Sequence, residues 1–227
     1  MKILLIADHE EKNLWGHWSG QTAERLSDIN LILSAGDLHA DYLEFLVTML
    51  NVPLVYVPGN HDEAYLKKPP QGCINADGRI IDVKAGKTPE TVRILGLGGS
   101  MRYKPNAPFM YSEREMVRKM FGTLRTVLGD MVKRNLKGPG AIDIFLSHAP
   151  CKGYGDLEDL PHQGFECFND LLVRQHPFLH VYGHVHKAYG PNGGFKRKIV
   201  HPSGSLLVNA SGHYILDTDS LINHSDK

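Results

Sequence analysis

Side chains that can bind metal ions stand at the ends of several apolar runs in this chain of 227 residues. They are carboxylates, one amide and imidazoles, namely Asp8, Glu10, Asp37, Asn60, His148, His184 and His186. Such ligands, without cysteine, suit Mn, Fe, Zn or Mg rather than a closed structural zinc site. They are too many for one ion with an open position but suit two ions that share a carboxylate. Two ions about 3.5 to 4 Å apart can clamp a phosphate and activate a water molecule.

Short apolar runs bounded by Gly or Pro precede these residues, which is typical of strands buried on both faces. The runs are ILLIA, LILSAGD, PLVYVPGNHD, IDIFLSHAP and FLHVYGHVH. Between them, apolar residues at helical spacing predict helices in DYLEFLVTMLN, behind a cap at Asp41, and in GFECFNDLLVRQ. Parallel strands joined by helices bring their carboxyl ends to one edge of a sheet, where α/β proteins bind ligands. We therefore expect the candidate ligands to meet at one sheet edge.

A longer helix is predicted from Ser112 to Leu136, because Ser112 and Glu115 match a capping box and an apolar stripe follows. The stripe is formed by Met116, Met120, Leu124, Val127, Met131 and Val132. The segment GCINADGRIIDVKAGKTPETVRILGLGGS predicts a hairpin and a further strand. The segment KRKIVHPSGSLLVNASGHYILDTDS predicts closing antiparallel strands.

The composition is that of an ordinary globular protein, with 42% hydrophobic and 22% charged residues, and predicts one domain over residues 1–227. Lys plus Arg and Asp plus Glu both number 25, so we do not expect the chain to attract nucleic acid or an anionic membrane. No apolar run approaches the roughly 18 residues that cross a bilayer, and Asp8 comes too early for a signal peptide. A cytoplasmic protein is therefore expected. Cys73, Cys151 and Cys167 lack CxxC spacing and are expected to be reduced thiols.

The order of the motifs is more specific than any one of them. GD, GNHD, SHAP and GHVH follow separate apolar runs, although each alone is usually a turn or a structural histidine. Together with Asp8 they resemble the calcineurin-like metallophosphoesterase superfamily, whose pattern is D-x-H, G-D, G-N-H-[DE], H and G-H-x-H. The resemblance extends from Asp8 to His186. It implies an α/β fold, a four-layer αββα sandwich with two mixed β-sheets and a dinuclear metal site at the C-terminal ends of the strands.

The resemblance also implies a role for each matching residue. Asp37 would bridge the two ions and, with Asn60 and His61, would belong to the catalytic residues. His61 would stabilise phosphate charge and protonate the leaving oxygen. The implied ligands of the first ion are Asp8, Asp37 and His186, and those of the second are Asp37, Asn60, His148 and His184.

The first motif departs from the family pattern at its last position, where Glu10 replaces the usual histidine. In an extended strand end, residues i and i+2 face the same way, so we expect Glu10 to face the metal beside Asp8 while His9 points away. A bulge or a slip by one residue would bring in His9 instead, and a site with neither is the third alternative. A ligand at Glu10 would add a carboxylate, favour Mn and move the activity optimum to alkaline pH.

The implied activity is hydrolysis of a small phosphodiester or phosphomonoester, cyclic nucleotides included, by a hydroxide that bridges two divalent metal ions. Mn is the expected metal, with Fe, Zn, Mg or Ni as alternatives. GDLHADY and GNHDEAY lack the arginine of the phosphoprotein phosphatases, which disfavours a phosphoprotein substrate. The alternative functions are a non-catalytic metal-binding scaffold of the same fold and a nuclease, although a neutral chain makes nucleic acid an unexpected partner.

Residues near the motifs are candidates for substrate contacts. Arg102 could hold a phosphate oxygen in its guanidinium fork, with an ordinary surface position as the alternative. Trp15, His17 and Trp18 could line the pocket and stack on a base, or they could cap the sheet edge. Tyr154, Asp156 and His162 follow the SHAP motif in a Gly-rich loop and are the weakest of these candidates.

Overall fold

The computed structural model describes residues 1–86, 88–134, 142–189 and 194–219, and for residues 127–134 it describes the backbone alone. The strands in these ranges are β1 Lys2–Ala7, β2 Ile29–Ser34, β3 Leu54–Tyr56, β4 Ile74–Asn75, β5 Arg79–Lys84, β6 Thr91–Leu97, β7 Ser100–Met101, β8 Met110–Tyr111, β9 Ile144–Ser147, β10 Leu179–Tyr182, β11 Lys198–Val200, β12 Leu206–Asn209 and β13 Gly212–Asp217. The α-helices are α1 Gly20–Arg25, α2 Ala40–Leu50, α3 Glu113–Arg134 and α4 Glu166–Gln175.

The strands form two large mixed sheets. The first sheet has the order β13-β1-β2-β3-β4, in which β13 is antiparallel to β1 and the other neighbours are parallel. The second sheet has the order β11-β12-β10-β9-β6-β5, with antiparallel pairs at both edges and parallel strands between them. Strands β7 and β8 form a small parallel pair of their own. The predicted strands are therefore present, and they divide between two mixed sheets, as the family resemblance implies.

The two sheets pack face to face, and strand alternation explains how. In β1, Leu5 joins a buried cluster that also contains Ile144 of β9 and Val181 of β10 in the other sheet. The neighbouring Leu4 and Ile6 belong to a different cluster on the opposite face of the first sheet. Successive side chains of a strand point to opposite faces, so both faces of β1 are covered, as its uninterrupted apolar sequence predicts.

Helices cover the outer face of each sheet. Leu43 and Leu46 of α2 pack in the cluster outside the first sheet. Met116 of α3 and Leu171 of α4 pack with Phe145 in the cluster outside the second sheet. The order of layers is helices, sheet, sheet and helices, which confirms the four-layer αββα sandwich.

Two helix starts can be compared with their predictions. The capping box before α3 is formed, since the Ser112 N–H donates to Glu115 Oε2 at 2.7 Å and the Glu115 N–H donates to Ser112 Oγ at 3.4 Å. The predicted end at Leu136 lies outside the described residues. The predicted cap at Asp41 is wrong, because the cap position is His39, two residues earlier, and the His39 side chain makes no capping bond. Asp41 instead lies in the first turn of α2.

Within the described ranges, no helix is both long enough and apolar enough to cross a membrane. Cys73, Cys151 and Cys167 are free thiols, and Cys151 and Cys167 are buried. The cysteines therefore form no disulfide framework, as their spacing predicts.

Candidate metal centre

The candidate ligands lie at the junction between the two sheets. Asp8, Asp37 and Asn60 follow β1, β2 and β3 of the first sheet, whereas His148 and His184 follow β9 and β10 of the second sheet. Ligand atoms of Asp37, His148 and His184 all lie within 4.8 Å of one another. The expected meeting of strand ends therefore occurs, across two sheet edges instead of one.

Three of the candidate ligands have a left-handed backbone conformation. The φ angles are 64° for Asp8, 57° for Asp37 and 69° for His184. Residues other than glycine rarely adopt positive φ, and such residues concentrate at functional sites. At each of these positions the chain turns sharply as it leaves a strand, which directs the side chain towards the junction.

Backbone carbonyl groups fix the tautomers of two histidines in this group. The buried His148 ring donates from Nδ1 to the carbonyl oxygen of Ala35 at 2.7 Å. The His184 ring donates from Nε2 to the carbonyl oxygen of Pro161 at 2.6 Å. In its neutral form each ring therefore carries a lone pair on the other nitrogen, His148 Nε2 and His184 Nδ1.

These lone pairs face other electron-pair donors rather than N–H groups. His148 Nε2 lies 3.0 Å from Asn60 Oδ1, 3.1 Å from His184 Nδ1 and 3.4 Å from Asp37 Oδ2. Ligands bound about 2.1 Å from one ion lie about 3.0 to 3.4 Å from one another. The four groups thus have the spacing and the donor chemistry of a coordination shell for a divalent cation.

The electrostatics of the group favour a positive charge at its centre. Burial lowers the pKa of His148, but the carboxylates of Asp37 and Asp8 outweigh it and raise the pKa to about 9. Burial and the neighbouring His148 lower the pKa of His184 to about 3, so that ring remains neutral. A proton on His148 Nε2 can form a hydrogen bond with only one of the neighbouring oxygen and nitrogen atoms, whereas a metal ion accepts electron pairs from all of them.

Asp8 adds an unsatisfied oxygen to the same site. Its Oδ1 accepts the backbone N–H of His184 at 3.0 Å, which ties the two sheets together. Its Oδ2 is shielded from solvent and has no hydrogen-bond partner in the described part of the chain. Burial is also the main reason that the pKa of Asp8 is raised. A buried carboxylate oxygen without a donor is costly, and a bound cation would remove that cost.

Asp62 is a functional residue that the sequence analysis did not single out. Its Oδ2 accepts the backbone N–H of Asp37 at 2.8 Å and that of Gly59 at 2.7 Å. Burial, followed by the nearby Asp37, raises the pKa of Asp62 to about 6. Asp62 thereby holds together the turns after β2 and β3, and its place as the last residue of GNHD was the available signal.

His61 lies at the open side of the group. Its backbone N–H donates to Asp37 Oδ1 at 2.8 Å, while its side chain is exposed to solvent. The preceding Asn60 is buried, and its Nδ2 donates to Tyr103 Oη at 3.2 Å, which turns its oxygen towards His148. The chain therefore presents Asn60 inward and His61 outward from the same turn.

The structure changes the comparison between Glu10 and His9. Strand β1 ends at Ala7 and Asp8 has a positive φ, so the extended geometry that favoured Glu10 does not continue past Asp8. The Glu10 carboxylate instead accepts the backbone N–H of His39 at 3.0 Å and lies 2.7 Å from His39 Nδ1. The His9 ring packs edge-on against His186, with centroids 5.1 Å apart. The extended geometry from which Glu10 was inferred to face the metal is therefore wrong. Whether Glu10, His9 or neither is a ligand stays a prediction.

A polar chain supports the two histidines of the GHVH motif. Asp159 Oδ2 lies 2.6 Å from His162 Nδ1, and His162 Nε2 lies 3.0 Å from Tyr189 Oη. The Tyr189 ring stacks on His186 at 5.7 Å, and the His162 ring lies 5.2 Å from the His184 ring. His162, one of the weakest sequence candidates, therefore contacts His184 directly and reaches His186 through its hydrogen-bonded partner Tyr189.

The other candidates for substrate contacts have structural partners. Arg102 donates from Nη2 to the Met110 carbonyl oxygen at 2.9 Å and pairs with Glu115 at 3.0 Å, whereas its buried Nε has no hydrogen-bond partner among the described residues. The Trp15 and Trp18 rings pack on Phe45 of α2, with centroids 5.4 and 5.6 Å away. Both tryptophans therefore contact helix α2, and their part in a substrate pocket stays a prediction.

A family model described as Metallophos, calcineurin-like phosphoesterase, matches residues 1–188. The chain belongs to the calcineurin-like phosphoesterase family. Two solved structures are similar to this calcineurin-like phosphoesterase over 96% of its length and 95% of their own. One has a TM-score of 0.61 at 17% identity, and the other, TT1561 of Thermus thermophilus, has a TM-score of 0.59 at 15% identity. At these identities the likeness shows the fold alone.

A curated relative is similar over a short segment. The UPF0046 protein T07D4.2 of Caenorhabditis elegans is 35% identical over 54 residues, which are 23% of this chain and 14% of the worm protein. This calcineurin-like phosphoesterase therefore matches only a small part of that relative. The chain thus combines membership of this family with a group of convergent side chains that could hold a metal ion.

Proposed function

We propose that this calcineurin-like phosphoesterase hydrolyses a small phosphodiester or phosphomonoester with the help of two divalent metal ions, Mn in the first place. The observation that carries the proposal is the convergence of His148 Nε2, His184 Nδ1 and Asn60 Oδ1, three electron-pair donors that share at most the one proton of His148. That proton can bond only one of the other two atoms, whereas a divalent cation accepts electron pairs from all three.

The donor set divides between two ions. We assign Asp37 to both ions, because its Oδ2 lies 3.4 Å from His148 Nε2 and its charge also acts on Asp8 and His186. The proposed ligands of one ion are Asp37, Asn60, His148 and His184, and those of the other are Asp8, Asp37 and His186 with Glu10 or His9. When bound, the two ions lower the pKa of a water molecule and neutralise the phosphate.

The residues of the chain have separate tasks in this proposal. Asn60 is fixed by Tyr103 and contributes its oxygen at the buried side. His61 is exposed next to the open side, where it can donate a proton to the leaving oxygen of the substrate. Asp62 keeps Asp37 in place through the backbone of its turn.

The proposal is tested by chelation and by His61→Ala. Chelation should abolish hydrolysis of bis-p-nitrophenyl phosphate and p-nitrophenyl phosphate, and added Mn should restore it. His61→Ala should lower kcat by about 10² to 10⁴ and leave the metal content unchanged, because general-acid assistance is lost while the ligands remain. Exposed His176, directly after α4, offers a matched control, since His176→Ala removes an imidazole outside the ligand group. Activity that survives complete metal removal would contradict the proposal.

The same assays separate the alternative functions. Two bound ions without hydrolysis of any phosphoester in a broad panel would indicate a metal-binding scaffold. Affinity for DNA that falls steeply with salt would indicate a nuclease. We expect neither result, because the chain retains the motif residues that a scaffold would not need, and its basic and acidic residues are equal in number.

A further inference from the structure

A cleft with a volume of about 520 Å³ opens beside the candidate metal centre. Its walls come from the turn after β1, which carries His9 and Lys12, and from the turn after the GHVH motif, which carries Lys187. His9 is shared between the cleft and the centre, because its ring lies 5.1 Å from the ring of His186. The volume is in the range of sites for small molecules, about 300 to 1,000 Å³.

The acidic side chains of the cleft have partners in the chain, whereas the basic ones do not. Glu10 is bonded to His39 at 2.7 Å, and Glu11 lies 3.4 Å from His213 Nδ1, so each carboxylate already has an imidazole partner. Lys12 and Lys187 are exposed, and neither ammonium has a carboxylate or hydrogen-bond partner in the described ranges. Among the charged side chains of the cleft, only the two ammonium groups therefore have no partner in the described ranges.

We propose that Lys12 and Lys187 bind a second anionic group of the substrate, while the phosphoester is held at the metal centre. The substrate class is a small phosphoester whose organic part carries a further phosphate or carboxylate. This inference rests on the proposed function. Once the metal centre holds the phosphoester, the second anionic group of the same substrate is already close to the two ammonium groups. Its binding to them is then intramolecular, which strengthens the contact.

The test compares adenosine 5′-monophosphate with adenosine 3′,5′-bisphosphate, which share the adenosine and the 5′-phosphate and differ by one phosphate group. The wild type should show a lower KM for the bisphosphate. Lys12→Ala combined with Lys187→Ala should raise that KM about tenfold or more, change the KM of the monophosphate less than about twofold, and leave kcat and metal content unchanged. Arginine at both positions should restore most of the difference in KM between the two nucleotides.

The control is Lys67→Ala combined with Lys152→Ala, which removes the same charge from two exposed lysines outside the cleft. Calorimetric binding of both nucleotides to metal-loaded His61→Ala protein gives a second measurement that does not depend on turnover. A bisphosphate with no KM or binding advantage, or an equal effect of the two lysine pairs, would overturn the inference. Failure of the proposed function is distinct, since the wild type would then hydrolyse neither p-nitrophenyl ester.

Discussion

At the scale of single residues, the backbone of Asp8 decides which neighbour can approach the metal. Its φ of 64° breaks the two-residue alternation of β1 at the first ligand. His9 then packs against His186, and Glu10 bonds to His39 at the rim of the cleft. Both side chains border the centre, so residue type and spacing cannot choose between them.

Single substitutions at these two positions identify the ligand. Replacement of the true ligand by alanine should lower metal affinity about tenfold or more, because a charged or imidazole donor is lost. Metal analysis after dialysis should therefore separate Glu10→Ala from His9→Ala, with Glu11→Ala as the control. Glu10→His, which recreates the usual family residue, should retain metal if Glu10 is the ligand. Full metal content in both alanine variants would show that neither residue is a ligand.

At the scale of elements, the turns after β2 and β3 interlock around Asp37. A Cβ atom added at Gly59 would lie 2.0 Å from Asp37 Oδ1 and 2.7 Å from the backbone nitrogen of Asp37. Real atoms do not approach so closely, so any side chain at Gly59 must displace the carboxylate. The glycine of GNHD is therefore required by the close approach of two turns that carry ligands.

Gly59→Ala and Gly122→Ala form a matched pair that measures this requirement. Gly59→Ala should lower the free energy of unfolding by about 1 to 3 kcal/mol and weaken metal binding, because Asp37 must move. Gly122 lies in α3, and a Cβ there would meet nothing within 4 Å. Gly122→Ala should therefore raise the free energy of unfolding by about 0.5 to 1 kcal/mol. Chemical denaturation and metal titration measure both effects, and unchanged metal affinity in Gly59→Ala would contradict the described packing.

At the scale of the whole molecule, the centre connects the two sheets of the sandwich. Asp37 and Asn60 come from the first sheet, and His148 and His184 come from the second. The facing sheets share a buried apolar cluster, which brings the strand ends together before any metal binds. A bound ion would then cross-link the sheets in the folded state only.

Thermal unfolding tests this cross-link. Free Mn²⁺ at a hundred times its Kd should stabilise the fold by about 2.7 kcal/mol and raise Tm by about 5 to 10 °C. His61→Ala should keep this shift, because His61 is not among the proposed ligands. Asn60→Ala should reduce it. Binding of Mn²⁺ without any rise in Tm would place the ion outside the junction.

The sequence by itself determined the parts that depend on local pattern. Apolar runs gave the strands, and the capping box at Ser112 and Glu115 gave the start of α3. The polar residues after each run indicated the types of ligand and the family, because the end of a strand and the type of ligand that follows depend on a few adjacent residues.

Only the tertiary structure decided how these parts combine. The division of strands between two sheets depends on pairings between residues far apart in the chain, which no local period specifies. The tautomers of His148 and His184 depend on carbonyl groups of Ala35 and Pro161. Every residue has a carbonyl group, so residue type cannot reveal which one will meet a histidine. That contact exists only after the chain has folded and the two sheets have packed.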